Sequence, residues 1–270
     1  MGLGKTLLLG LIAGITILAG IPLGRVSRPM PTLRQILNAL AVGVLVFLIW
    51  DVLSAAWEPI DSALTDIHLH HARYGALAGY GALFAGGIAV GLLGLVGYDR
   101  WIARRRSTAS VVDPARQLAI MIAVGIGLHN FAEGLAIGQS AANGEIALAT
   151  TLVIGFALHN ATEGFGIVAP LAAGVDDGPA KAKPSWAFLL TMALIGGGPT
   201  FVGTWVGHGF TSEAVSVAFL SLAAGSIIYV VIQLVAVAVR SRRTDVLCVG
   251  LLLGLLAGFV TDAVVTAAGA

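Results

Sequence analysis

Two copies of one short polar pattern interrupt otherwise apolar stretches of this chain. Residues 128–134 read LHNFAEG, and residues 158–164 read LHNATEG. On a helix, a histidine four residues before a glutamate and an asparagine three residues before it project from the same face. An ionised carboxylate inside a bilayer is costly unless it is paired, hydrated or bound to a cation. The pattern therefore predicts an intramembrane metal site whose ligands are His129, Asn130, Glu133, His159, Asn160 and Glu163.

The ligand types indicate which metal such a site would hold. Imidazole favours zinc, iron, cobalt or nickel, and carboxylates add charge neutralisation, whereas calcium and magnesium prefer oxygen ligands almost exclusively. Cys248 is the only cysteine, so neither a disulfide framework nor a cysteine-based metal site is expected. Glu133, flanked by His129 and Asn130, could bridge two ions. Two glutamates neutralise one dication, and Asp51 lies on another helix, so a second ion is expected to bind weakly or not at all.

Two other interpretations of the paired pattern are open. His–Glu hydrogen bonds could merely fix the packing of two membrane helices, although two buried carboxylates are costly for that purpose. An intramembrane metalloprotease would need HExxH, with the glutamate as general base between two zinc ligands. Here the order is HNxxE and each glutamate is assigned to the metal. The sequence therefore predicts a protein that is not an enzyme and that carries no prosthetic group. The alternatives are a membrane-embedded metalloenzyme, a metal sensor and a channel.

The elements that carry this pattern must be membrane helices. Of the 270 residues, 57% are apolar and only 11% are charged, against roughly a quarter charged in an average soluble domain. The net charge of +1 gives no indication of a nucleic-acid partner. The sequence predicts one all-α polytopic transmembrane domain over residues 1–270, with short loops and spans at Leu7–Leu23, Ile36–Trp57, Tyr74–Val96, Leu118–Gly138, Ile146–Leu171, Trp186–Val206, Val215–Val239 and Val246–Val265.

The positions of the basic residues predict the orientation. Thirteen of the fifteen fall in the loops after helices one, three, five and seven: Arg25, Arg28, Arg34, Arg100, Arg104, Arg105, Arg106, Arg116, Lys181, Lys183, Arg240, Arg242 and Arg243. By the positive-inside rule these loops are cytoplasmic, so both termini lie outside an inner or plasma membrane. Helix one lacks an A-x-A-like cleavage site and is expected to remain as a span.

With eight spans, outside termini and paired HN-x-x-E motifs on helices four and five, the chain resembles the ZIP (Zrt-, Irt-like) divalent metal transporters. That resemblance implies that the six motif residues are transport-site ligands and that helices four and five are flanked by three-helix repeats of inverted orientation. It also implies movement of zinc, or of iron, manganese, cobalt or cadmium, toward the cytoplasm, often by dimers. Many members have a proline where this chain has Ala132 and Thr162, so Gly134 and Gly164 are candidates for any kink.

A polar stripe on helix two gives a second candidate region. Asp51, Ser54, Glu58 and Asp61 recur at helical spacing and climb toward the outer face. Asp51, Glu58 and Asp61 could therefore form an access path for the ion. The alternative is that helix two ends early and that the stripe is ordinary solvated surface.

Overall fold

The structure, a computed structural model, describes residues 1–25, 31–69, 74–105, 113–144, 146–173, 183–209, 212–240 and 242–267. In these residues eight helices are long and apolar enough to cross a membrane. They are α1 (Leu3–Ile15), whose span continues through 3₁₀ turns to Arg25, α2 (Pro31–His68), α3 (Tyr74–Arg105), α4 (Pro114–Ala142), α5 (Ile146–Ala173), α6 (Trp186–Gly209), α7 (Glu213–Arg240) and α8 (Thr244–Ala267). The predicted all-α, eight-span architecture is confirmed.

Several observed helices are longer than the predicted spans, and α3 continues past Val96 to Arg105. The first and second spans differ for reasons that the packing explains. The first is α-helical only to Ile15 and continues as 3₁₀ turns at Thr16–Ala19 and Ile21–Arg25. Pro22 has no N–H for an α-helical hydrogen bond, and Gly20 packs against the backbone of α5, so the tighter turns fit the space available. The second runs well beyond Trp57, because Ala56, Ile60 and Ala63 continue a buried apolar face. The interpretation in which helix two ends early is therefore wrong.

Contacts between helix ends define two faces of the molecule. The N-terminal amine of Met1 donates to the Ala141 carbonyl at the end of α4, and Tyr80 near the start of α3 donates to Glu213 at the start of α7. We call this the terminal face. At the opposite end, Arg25 donates to the Pro184 carbonyl. We call that end the basic face, because the described residues Arg25, Arg104, Lys183, Arg242 and Arg243 lie there.

The helices form two groups that pack against each other. Helices α1, α4, α5 and α6 form one group, and α2, α3, α7 and α8 form the other. The groups meet where α7 packs on α4 and where α2 and α8 pack on α5. Helix α4 is the most deeply buried span and α3 the most exposed. Large apolar side chains such as Val90, Leu93 and Val260 point outward, as expected for a surface that faces lipid.

The packing pattern repeats with inverted orientation around α4 and α5. Helix α6 packs along α4, and in the same way α1 and its 3₁₀ turns pack along α5. The pair formed by α3 and α7 likewise matches the pair formed by α8 and α2. Exchanging α1–α3 with α6–α8 and α4 with α5 converts one set of contacts into the other. Because α1 and α6 cross in opposite directions, the two three-helix repeats are inverted. Helices α1 and α6 cross at Gly14 and Gly197, where each glycine packs on the carbonyl of the other.

Candidate metal site in the helix bundle

The paired motifs lie on neighbouring helices in the interior of the first group. On α4 the side chains of His129, Asn130 and Glu133 are buried, and on α5 those of Asn160 and Glu163 are buried. The helical spacing brings the Nε2 atom of His129 within 3.0 Å of a carboxylate oxygen of Glu133. These two atoms lie close enough together to share one cation.

Both asparagines are oriented by a carbonyl on an adjacent helix. The Asn130 amide nitrogen donates to the Gly196 carbonyl of α6 over 3.0 Å, and the Asn160 amide nitrogen donates to the Ala13 carbonyl of α1 over 3.1 Å. A backbone carbonyl can only accept, so the NH₂ group of each side chain must face it. Each buried Oδ1 atom is then left without a hydrogen-bond donor among the described residues. Such an amide oxygen is available as a metal ligand.

The glycine that ends each motif allows this arrangement. A Cβ on Gly134 would overlap the Thr200 carbonyl of α6, and a Cβ on Gly164 would overlap the Ile17 carbonyl in the first 3₁₀ turn. Thr200 lies four residues after Gly196, whose carbonyl orients Asn130. Ile17 lies four residues after Ala13, whose carbonyl orients Asn160. Helices α4 and α5 continue through both glycines. Close backbone approach, without a break in either helix, is thus the role of these residues.

A cavity of about 700 Å³ reaches the α4 motif from the terminal face. His129 and Glu133 line its inner end, and Asn143 and Ser212 line it near the ends of α4 and α7. Its acidic lining comes from four helices and consists of Asp51, Glu58, Glu133, Glu213 and Asp262. No lysine or arginine occurs among the described lining residues. Carboxylates in a cleft with low-dielectric walls raise the local concentration of cations, so the cavity favours an approaching dication.

The other side of the motifs is closed by apolar packing. Toward the basic face, Ile122 and Ile126 of α4 and Ile167 of α5 belong to one buried cluster with residues of α2 and α7. Among the described residues, this cluster lies between the α4 motif and the basic face, whereas the cavity reaches the motif from the terminal face.

The predicted site residues occupy different positions relative to this cavity. Asn130, Asn160 and Glu163 are buried but are absent from its described lining. The side chain of His159 lies outside the described residues. Among the side chains that the structure does describe, no three from His, Cys, Asp and Glu converge as a metal-binding group. Among the described side chains, the cavity meets the α4 part of the predicted site.

The access-path residues also divide. Asp51 and Glu58 line the cavity, whereas Asp61 is exposed and does not line it in the described structure. The sequence analysis left Asp51 out of the charge that neutralises the ion, because Asp51 lies on a different helix from the motif glutamates. In the structure, however, Asp51 and Glu133 line the same cavity. The sequence analysis did not identify Glu213 and Asp262, which lie close to helix ends. The available signal was that α7 begins and α8 ends on the same face.

Comparison with protein-family models relates this chain to a known family. A family model described as a ZIP zinc transporter matches residues 103–266, which is more than half of the chain and includes α4 to α7 and most of α8. No curated protein matches the sequence significantly.

Proposed function

The chain belongs to the ZIP zinc transporter family, and we propose that this membrane-spanning transporter of divalent metal ions carries Zn²⁺ through the paired HN-x-x-E site. The proposed ligands are His129, Asn130 and Glu133 on α4 together with His159, Asn160 and Glu163 on α5. The observation that supports it most directly is a buried His–Glu pair at the inner end of an acidic cavity.

The ligand types support zinc as the substrate. Imidazole and carboxylate together suit zinc, and iron, manganese, cobalt and cadmium are plausible competitors. The amide oxygens of Asn130 and Asn160, each oriented by a carbonyl behind it, add neutral ligands. Calcium and magnesium, which require oxygen-rich coordination, should be poor substrates.

Transport toward the cytoplasm follows if the terminal face is outside. Apart from Lys5, the described basic residues cluster on the opposite face, as the positive-inside rule requires of a cytoplasmic side. The ion would then move down the acidic cavity to Glu133 and engage the α5 ligands. The inverted repeats provide a physical basis for the second state, since exchanging their conformations would open the other side.

Charge counting supports one tightly held ion. Glu133 and Glu163 neutralise one dication between them, and the bundle supplies no further carboxylate from the described parts of α4, α5 or α6 within the membrane. A second ion next to the first would be desolvated without compensation, at a cost of several kcal/mol. Asp51 lies on the cavity wall and can hold an arriving ion in a hydrated setting. We expect one tight ion and weak further binding along the cavity.

The test is zinc flux into liposomes that contain the purified protein. Wild type should show saturable uptake, and Glu133→Gln should lower it at least about a hundredfold, because the ion loses a charged ligand in a low-dielectric site. Asp245→Asn changes an exposed carboxylate at the start of α8 and serves as the matched control. Magnesium flux comparable to zinc flux would contradict the proposed selectivity. Tight zinc binding without flux would favour the sensor interpretation, and flux that never saturates would favour a channel.

A further inference from the structure

An apolar groove of about 400 Å³ runs between α1 and α6 on the outer side of the first helix group. It extends along α6 from Leu190 to Phe201 and along α1 from Gly10 to Leu18. Its described lining residues are all glycine, alanine, leucine, isoleucine or phenylalanine, so they offer no polar side chain to an occupant. The groove shares none of them with the acidic cavity and is a separate feature of the molecule.

The groove has the shape that an acyl chain requires. Leu11, Leu194 and Phe201 on its walls are exposed, and between them Gly14 and Gly197 leave space where the two helices cross. The stretch of α6 from Leu190 to Phe201 is about 16 Å long at 1.5 Å per residue. Half of a hydrocarbon core of about 30 Å is about 15 Å thick. The length and the apolar surface of the groove therefore match one lipid chain from a single leaflet.

Two cations lie beyond the end of the groove that is nearer the basic face. Trp186 lies one turn before Leu190 on the same face of α6, and the Arg25 guanidinium lies 5.1 Å from the centroid of its ring. Arg25 has five N–H donors, so besides its bond to the Pro184 carbonyl it can donate to a phosphate. Lys183 is exposed. Since tryptophan belongs at the headgroup level, Arg25 and Lys183 lie where the headgroup of a lipid in the groove would be.

The charge at this end favours an anionic lipid over a second copy of the chain. Two copies that met at the groove about a two-fold axis along the membrane normal would bring their Arg25 and Lys183 side chains together on one face. Those like charges would repel each other. An anionic headgroup instead neutralises them, and basic pockets between helices on the cytoplasmic side are typical sites for such headgroups.

We propose that the groove between α1 and α6 binds one anionic phospholipid from the leaflet on the basic face. An acyl chain lies along the groove from Leu190 to Phe201, and the phosphate accepts hydrogen bonds from Arg25 and Lys183. This site is distinct from the metal site and goes beyond the transport function.

Lipid in the groove would stabilise the backbone that orients the proposed metal ligands. Gly14 and Gly197 line the groove, and the residues just before them, Ala13 and Gly196, supply the carbonyls that orient the two motif asparagines. Dispersion contacts hold helices together in lipid, so an acyl chain packed along both helices adds contacts at this crossing. The lipid thus supports the metal site from behind without contacting the ion.

Native mass spectrometry of the purified chain tests the headgroup end of the site. The protein is equilibrated in detergent micelles that contain phosphatidylglycerol and phosphatidylcholine with the same oleoyl chains. Wild type should retain one lipid per chain and prefer phosphatidylglycerol about tenfold, because two cations lie at the headgroup level. Arg25→Gln combined with Lys183→Gln should lower this preference to about twofold or less. Arg104→Gln removes an exposed cation from the same face on α3, and as the matched control it should keep the preference.

Gly198→Leu tests the groove itself. A Cβ at this position meets only the Leu194 side chain, at 3.3 Å, so a leucine extends into the groove without displacing backbone. Retention of either lipid should fall at least about fivefold, because the new side chain fills the space of the acyl chain. Gly94→Leu is the matched control, since Gly94 faces open space on α3 and meets nothing within 4 Å.

Three results would overturn the proposal. Equal retention of the two lipids by wild type would show that the site does not select an anionic headgroup. Unchanged lipid retention in Gly198→Leu would show that the acyl chain does not lie in the groove. A wild-type dimer that retains no lipid and that Gly198→Leu converts to a monomer would identify a second copy as the occupant. All these measurements detect bound lipid or protein mass, so they do not depend on whether wild type transports zinc.

Discussion

At the scale of single residues, each motif position has a distinct physical task. His129 and Glu133 contact each other at the end of the cavity, and Asn130 uses its donor on a neighbouring carbonyl, which leaves its oxygen without a donor among the described residues. Asn160 does the same on α5 with a different partner helix. In the proposed site, each asparagine therefore combines a metal ligand with a contact between helices, for which an amide, with both a donor and an acceptor, is better suited than a carboxylate.

We therefore expect both asparagines to contribute to stability as well as to binding. Asn130→Ala and Asn160→Ala each remove a buried hydrogen bond that joins two helices, at a cost of about 1–3 kcal/mol. Thermal unfolding in detergent should show similar decreases in melting temperature for the two variants, of roughly 3–10 °C. Asn143→Ala at the exposed end of α4 is the control and should melt close to wild type. Unchanged melting of either buried variant would contradict the assigned hydrogen bond.

At the scale of helices, close backbone contact at glycines determines which faces meet. Gly43, Gly91, Gly225 and Gly254 each lie against a carbonyl of the opposing helix, whereas Gly86 and Gly94 face open space. Lipid gives helices no hydrophobic driving force for association, so dispersion contacts at these crossings stabilise the pairs. The glycines of α3 therefore include positions that contact α7 and positions that face lipid.

Two substitutions on α3 should separate these positions. Gly91→Ala places a methyl group against the Leu222 carbonyl and should destabilise the α3–α7 pair by about 1–3 kcal/mol. Gly94→Ala, three residues further on, meets nothing within 4 Å and should be neutral or slightly stabilising, by at most about 1 kcal/mol. Melting temperature measures both. Equal destabilisation by the two variants would show that the crossing is not where this structure places it.

At the scale of the whole molecule, one side is open and the other is closed. The acidic cavity opens toward the terminal face, while Ile122, Ile126 and Ile167 pack together beneath the motifs. The same two three-helix repeats, in inverted orientation, lie on either side of α4 and α5. A molecule with this symmetry can reach the opposite state by exchanging the conformations of its repeats, without any new type of packing.

The orientation of this asymmetric molecule is testable by cysteine labelling. In a Cys248→Ser background, a cysteine at Lys183 should react with a membrane-impermeant reagent only from the cytoplasmic side, and one at Ser212 only from outside. The reason is that basic residues are retained in cytoplasmic loops. Both cysteines reacting from the reverse sides would overturn the orientation, and with it the direction of uptake.

The sequence by itself determined the number of helices and predicted the ligand types. Long apolar runs must become helices in a bilayer because every backbone polar group needs an internal partner. The cost of buried charge singles out Glu133 and Glu163, since both carboxylates fall in the middle of apolar runs. Helix ends were less certain: Pro22 and the close approach of Gly20 turned the end of the first span into 3₁₀ turns, and buried Ile60 and Ala63 extended α2.

Tertiary structure alone decided which residues share a space. Asp51, Glu213 and Asp262 come from three helices far apart in the chain, and only the packing of α2, α7 and α8 brings them to one cavity with Glu133. The same packing left Asp61 outside the described lining. Helical periodicity predicts which side chains lie on one face of a single helix. The close crossings of separate helices determine which of those faces meet, because distant segments are brought together only by packing in three dimensions.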